Sequence, residues 1–279
     1  MVQDTEQAWA RMMAADATAS ALAEGALLIA AHEYPDLDIE ASLRQLQSMA
    51  DTLRRRLRPD ISPSETVIAL NHYLFDELGF RGNAADYYDP RNSYLNEVME
   101  RRLGIPISLS VLYIDVGRRL GLALDGISFP SHFLVKCTLR TGVLVLDPFC
   151  KGASLSADEL RRRLGEGALP QSDAELLGTT LRTASVPEIL ARMLRNLRAI
   201  YLHHKALEKA LWAADRIVTL LPGVPAEYRE RGRIYLELEC FRAALTDFRS
   251  YAALAPQAAD AEGISAAIAE LQRRAARLN

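Results

Sequence analysis

At an offset of 34 residues, the last third of this chain matches itself. Tyr201 aligns with Tyr235, Ala210 with Ala244, Leu211 with Leu245, and Pro222 with Pro256. A unit of that length cannot bury its apolar face alone, so successive helix pairs must stack on one another. The second copy shows how they close. Gly232-x-x-Tyr235 and Ala244-x-x-x-Phe248 place small residues where two helices meet, and Pro256 ends the unit. From about Val186 the chain therefore reads as all-helical. Ala258 to Leu278 supplies the polar-faced helix that caps a short stack.

The residue types and the period together are those of tetratricopeptide repeats. With 279 residues the chain has room for a second domain. The expected division is 1–184 and 185–279, with a helical subdomain over about 1–60. In that subdomain Ala21, Leu22, Ala26, Leu27 and Ile29 form an apolar band that ends at Tyr34-Pro35. Asp36 or Asp38 can cap the next helix, with Leu43, Leu46, Met49 and Leu53 on its core face.

The middle region changes character along its length. Ser64 can cap a helix carrying Val67, Leu70, Leu74 and Leu78, with Gly79 as its stop. Asn92 or Ser93 can cap another that runs to Leu103 and stops at Gly104. Pro106 suits the first turn of a helix ending near Gly121, apolar on several sides and therefore central. Gly117 inside it costs about 1 kcal/mol relative to alanine and predicts a close contact there. Three strand-like runs follow, Leu124–Phe129, His132–Thr138 and Val143–Leu146, with a hairpin turn at Arg140-Thr141-Gly142. Helices followed by antiparallel strands make this an α+β domain.

The residues suited to chemistry lie in that segment. His132 opens one strand-like run and Asp147 closes the next, so a hairpin brings imidazole and carboxylate together. Ser108 stands in the first turn of the helix begun by Pro106, where free N–H groups favour an anion. A nucleophile at a helix start, then His, then Asp is the order of a triad in which His is the base and Asp orients it. A first-turn serine is also a common helix cap, and Cys150, three residues after Asp147, is also a common packing residue.

The stretches EGALLIAAHEYPD, LFDELGFRGNAADYYDPRNSYLNEVMERRLGIPISLSVLY, GISFPSHFLVKC and LVLDPFCKG resemble the bacterial transglutaminase-like proteins with C-terminal tetratricopeptide repeats. These are the SirB-type proteins, named as regulators of sirC expression. The resemblance implies a transglutaminase-like domain of the papain-like cysteine-protease superfamily: helical, with a small antiparallel sheet. It puts His132 and Asp147 at that superfamily's His and Asp. The cysteine position falls at or close to Pro106, in Gly104-Ile105-Pro106, where there is no thiol. The family's FNGG-like turn reads Phe149-Cys150-Lys151-Gly152 here.

Two functional readings follow. In one, the domain is a degenerate, non-catalytic pseudoenzyme that serves as a scaffold or regulator. It binds a protein or peptide partner through its cleft and through the repeat groove. In the other, Ser108, His132 and Asp147 form the triad of a hydrolase or acyltransferase acting on amide or ester bonds of a protein or peptide. Neither reading calls for a cofactor or metal, and the sequence has no HxxxH, HExxH or phosphate-binding glycine pattern. The net charge of −3 argues against nucleic acid. The three cysteines, Cys137, Cys150 and Cys240, form no CxxC pair, and the start MVQDTEQAW is acidic. Both point to a cytoplasmic protein with no membrane partner.

Overall fold

The computed structural model describes Trp9 and residues 21–130, 132–164 and 180–277. The expectations for the acidic start and for Leu278 in the last helix fall outside these residues. The chain divides into two compact units, Met1–Ile189 and Leu190–Asn279.

In the first unit, helices α1 (Ala21–Glu33) and α2 (Ile39–Arg54) lead to α3 (Pro63–Asn71). Asp38 caps α2 by accepting from Ala41 N at 2.8 Å. Leu46, Met49 and Leu53 of α2 are buried as its periodicity predicts, while Leu43 stays half-buried. The cap of α3 is Ser62, not the expected Ser64. Pro63 fits the first helical position, and Ser62 and Glu65 exchange bonds, Ser62 N donating to Oε2 at 3.0 Å and Glu65 N to Oγ at 3.3 Å. The chain then makes a π-helical turn over His72–Glu77, and Gly79, the expected stop, has φ +74°.

Helix α4 is shorter than its sequence pattern suggests, spanning Leu95–Arg101. Asp89 first caps a 3₁₀ turn, Pro90–Asn92, by accepting from Arg91 N at 2.9 Å. The helix ends at Arg102, which is left-handed at φ 60°, and not at Gly104. That turn frees Leu103–Gly104 to form strand β2, paired in parallel with β1 (Arg81–Gly82). Helix α5 (Pro106–Arg119) follows at once.

Every residue of α5 from Pro106 to Gly117 is buried. The helix packs against α1, α2 and the sheet, which accounts for its apolar content on all sides. Gly117 is where that packing is closest, since a Cβ there would run into the Leu124 side chain. The sheet is antiparallel, in the order β3 (Leu124–Ile127), β4 (Leu134–Leu139), β5 (Gly142–Asp147), β6 (Ala153–Leu155). The hairpin register pairs Leu139 with Gly142 and Val135 with Leu146. His132 precedes β4 instead of opening it, and β6, only three residues long and largely exposed, is too short for hydrophobic alternation to reveal. Ile127, Phe129, Leu134 and Val145 of the sheet region form a core with Leu160 of α6 (Ala157–Leu164). Burying each such large side chain contributes about 1.5–3 kcal/mol.

The second unit is helical throughout its described part. Helix α7 (Val186–His203) leads into it, followed by α8 (Leu207–Leu220), α9 (Pro225–Glu237), α10 (Phe241–Leu254) and α11 (Ala261–Arg277). The repeat signature becomes packing here. A Cβ on Gly232 of α9 would stand 2.9 and 3.1 Å from the Phe248 ring of α10. Ala244, Phe248 and Tyr251 join Ile264 and Leu271 of α11 in one core. Arg231 clamps Asp247 with two bonds, at 2.8 and 2.7 Å, and reaches Asp215 of α8 at 3.0 Å.

Candidate functional site

The chemistry-bearing groups of the first unit lie at two places, the end of β5 and the start of α5. Because Val135 and Leu146 are paired, Asp147 falls opposite Leu134, the first residue of β4, and so close to His132 two residues before it. His132 Nε2 is 2.9 Å from Asp147 Oδ1. The carboxylate is fully buried and the imidazole is 21 % exposed. Asp147 Oδ2 accepts from Arg163 Nη1 of α6 at 3.0 Å. Oδ1 also accepts from the backbone N–H groups of Phe149 and Cys150, at 3.2 and 3.3 Å. Burial alone would push this carboxyl up. The hydrogen bonds and charges of His132 and Arg163 outweigh burial and hold it below the usual carboxylate range. Asp147 is thus an ionised hub that orients a histidine, an arginine and the turn after β5.

The turn itself is fixed from below. Gly152 N donates to Asp147 O at 2.8 Å, with Lys151 at φ 56° and Gly152 at φ 72°. Asn71, the last residue of α3, donates to Gly152 O at 2.9 Å and accepts from Tyr113 of α5 at 2.8 Å. A side chain on Gly152 would collide with that Asn71 amide. Phe149 lies over Gly82, which has no room for a Cβ beneath the ring. The Phe149 ring meets His132 edge-on at 6.1 Å and Tyr87 at 6.5 Å, and Tyr87 in turn meets Tyr88 at 5.5 Å. Tyr88 is 73 % exposed. An aromatic rim therefore runs from the histidine to solvent.

At the start of α5 the geometry is different. Pro106 takes the first helical position, and Ser108 is completely buried. Its hydroxyl donates to Asn92 O at 2.6 Å and accepts from Ile105 N at 3.1 Å. Asn92 is itself buried, bonding Asn83 at 3.1 Å and Asp86 O at 2.7 Å. Asn83 N closes the arrangement on Gly104 O at 2.9 Å. Ser108 thus ties the 83–92 loop to the helix start. Of the three residues that the sequence brings forward, the structure brings His132 and Asp147 into one pair. It gives Ser108 other partners.

The cysteines do not fill the vacant position. Cys137 is buried on β4, and burial pushes its thiol up. Cys150 is exposed, but desolvation and the adjoining Asp147 charge hold its thiol above the ordinary value. A protonated thiol is a poor nucleophile. Among the described residues no group of three or more His, Cys, Asp or Glu side chains is placed to hold a metal ion.

Several residues of this site escape sequence reading. Arg163 lies sixteen residues beyond Asp147, within the run Arg161-Arg162-Arg163 that reads as a helix end. Asn71 looks like an ordinary helix residue beside His72. Only the ends of helices meeting a strand turn reveal either one.

With this geometry described, the chain can be compared with known proteins. The family model described as transglutaminase-like superfamily matches residues 40–195, and a tetratricopeptide-repeat model matches residues 197–269. A UPF0162 protein of Xylella fastidiosa is 45% identical over 89% of this chain and 89% of its own length. One from Vibrio cholerae is 31% identical over 85% of this chain and 87% of its own length. The human F-box only protein 21 is 37% identical over 145 residues, covering 49% of this chain and 22% of that protein. No solved structure matches. The chain belongs to the transglutaminase-like superfamily and to the UPF0162 family, with an α+β domain followed by tetratricopeptide repeats. Among the described residues no helix is long and apolar enough to cross a membrane.

Proposed function

We propose that the chain is a non-catalytic, transglutaminase-like scaffold of the cytoplasm that binds protein or peptide partners. One surface is the aromatic rim beside His132, and the other is the repeat groove. The observation that carries this reading is the state of Ser108. Its hydroxyl is fully buried and donates to a backbone carbonyl at 2.6 Å, so the helix start offers no free nucleophile. The exposed tyrosines next to a fixed His–Asp pair suit an extended peptide, because aromatic side chains give large contact area at low entropic cost. Repeat helices present concave faces to peptides in the same way. A part of this chain also matches a segment of a much longer protein, as a transplantable binding module would. The SirB-type regulatory role is the biological form of this reading, with partner binding as its output.

The test selects peptides on the full chain by display and then measures the best of them against variants. Tyr88→Ala, an exposed change, weakens binding at least tenfold if the rim is the surface. His132→Ala weakens it only a few-fold, because no bond-making passes through the ring. Failure of every selected peptide to respond to Tyr88→Ala and to changes in the repeat helices sinks the proposal.

The His132–Asp147 pair at 2.9 Å favours a second reading, a hydrolase or acyltransferase using Ser108. Covalent labelling of Ser108 by a fluorophosphonate probe, lost in His132→Ala, would bring that reading forward. An unlabelled, folded sample leaves the scaffold reading in place.

A further inference from the structure

A cleft of about 480 Å³ opens in the first unit between α2 and α4. That is within the usual size of small-ligand sites, roughly 300–1,000 Å³. Leu37, Ser42 and Gln45 line one side, and Asn96, Met99 and Arg102 the other. None of these residues belongs to the His132–Asp147 site.

The polar groups around this cleft are under-used. Between Ser93 and Arg102, four side-chain atoms are shielded from solvent with no hydrogen-bond partner: Ser93 Oγ, Asn96 Oδ1, Arg101 Nη1 and Arg102 Nη1. Folded proteins leave few such groups, because each costs about 1–3 kcal/mol. Two of the four, Asn96 and Arg102, belong to residues of the cleft wall. Arg102 is the more telling. Its guanidinium stacks over the Phe80 ring at 4.6 Å, and among the described residues it has no carboxylate partner. Its backbone is left-handed at φ 60° where it ends α4, which turns the side chain back toward the cleft wall it lines. An arginine held flat and half-buried without a counter-charge is suited to a planar carboxylate.

We propose that this cleft binds a carboxylate with an adjacent N–H, the pattern shared by an N-acylated amino acid and the C-terminal residue of a peptide. The carboxylate lies against Arg102, reached by a small rotation of the guanidinium. The N–H donates to Asn96 Oδ1, which is shielded in the free protein and is brought to the cleft by a turn of the side-chain amide. An apolar side chain rests on Leu37 and Met99. Glu100 also lines the cleft and is exposed. Its charge disfavours a second carboxylate, so a monocarboxylate is the better ligand.

The test is an NMR titration of the full chain that follows the side-chain amide signals of Asn96 and Gln45. The probes are N-acetyl-L-leucine, N-acetyl-L-leucinamide and the tripeptide acetyl-Ala-Ala-Leu with a free C-terminus. N-acetyl-L-leucine is expected to shift both amides with a Kd of about 1 mM, given its few atoms. The leucinamide, lacking the carboxylate, leaves them in place. Arg102→Met keeps the stem over Phe80 and weakens binding at least tenfold. Asn96→Leu, similar in shape and independent of the Arg102 packing, also weakens it and serves if Arg102→Met does not fold. Tighter binding of the tripeptide identifies a protein C-terminus as the occupant, and equal or weaker binding identifies a free acid. Both results support the site. Unmoved amides with every probe, a leucinamide as effective as the acid, or full affinity in Asn96→Leu would overturn it.

Discussion

The end of β5 and the start of α5 began, on sequence grounds, as two halves of one triad, and they have gone different ways. At the end of β5, a fully buried carboxylate draws in a histidine, an arginine and two backbone N–H groups, and the histidine still reaches solvent. At the start of α5, a proline holds the first position and a buried serine spends its hydroxyl on a loop. The acid–base half keeps its charge and some exposure, while the nucleophile half is a structural joint. A scaffold can keep the first for shape and electrostatics without needing the second for chemistry.

The largest expected effect comes from removing the hub. Asp147→Ala leaves Arg163 with only its longer contact to Glu159, at 3.5 Å, takes the carboxylate from His132 and leaves two backbone donors unmet at a buried place. The cost is about 3–5 kcal/mol, the range for breaking a buried ion pair. It should appear as an earlier urea midpoint for the first unit, with looser ring packing of His132 and Phe149. A loss under about 1 kcal/mol, the range of an exposed pair, would mean that Asp147 does not organise this turn.

Ser108→Ala tests the other half. It strands Asn92 O and Ile105 N in the core, for a cost of about 1–3 kcal/mol. Peptide binding per folded molecule should stay at the wild-type value. Ser108→Cys sharpens the comparison. Its thiol should react with iodoacetamide far more slowly than exposed Cys240, as peptide mass spectrometry would show. A fast-reacting thiol at 108 would reopen the catalytic reading.

Gly82→Ala probes the seam between the two halves. Its new methyl group must displace the Phe149 ring, which also meets the His132 ring edge-on. Overpacking of this kind costs about 1–3 kcal/mol, less where a ring can shift. The readout is a changed His132 ring signal together with a lower melting temperature.

How legible each half was follows from the kind of interaction that builds it. The repeats are regular, so period and small residues predict the Gly232–Phe248 contact directly. Gly117 was readable for the same reason, as a glycine that only a close neighbour explains. The His132–Asp147 pair was readable because two strands joined by a two-residue turn bring their far ends together. The bond from Ser108 to Asn92 was not. It depends on where the 83–92 loop folds back, and that rests on parallel pairing of two very short strands, Arg81–Gly82 and Leu103–Gly104. Such strands have no alternation to detect. The same pairing explains why Arg102, not Gly104, ends α4. Tertiary hydrogen bonding overrides the local preference for glycine.

The smallest effect is the pH dependence, and it separates the halves by sign alone. Asp147 has a folded pKa below its ordinary value, so the unfolded chain binds this proton more readily. Its contribution to stability is therefore complete above the ordinary carboxylate pKa of about 3.9 and is lost as pH falls through the lower folded value. Wild type and Asp147→Asn, compared by urea unfolding between about pH 6 and pH 3, should converge as the solution becomes acidic. Wild type and Ser108→Ala should stay parallel over the same range, because no proton is bound or released at that hydroxyl. If Ser108→Ala instead changes the slope, the hydroxyl is coupled to a titrating group, and His132 would be the first place to look. Parallel curves for Asp147→Asn would mean that the carboxylate gains no net stabilisation from His132 and Arg163. In that case the end of β5 would be as purely steric a joint as the start of α5.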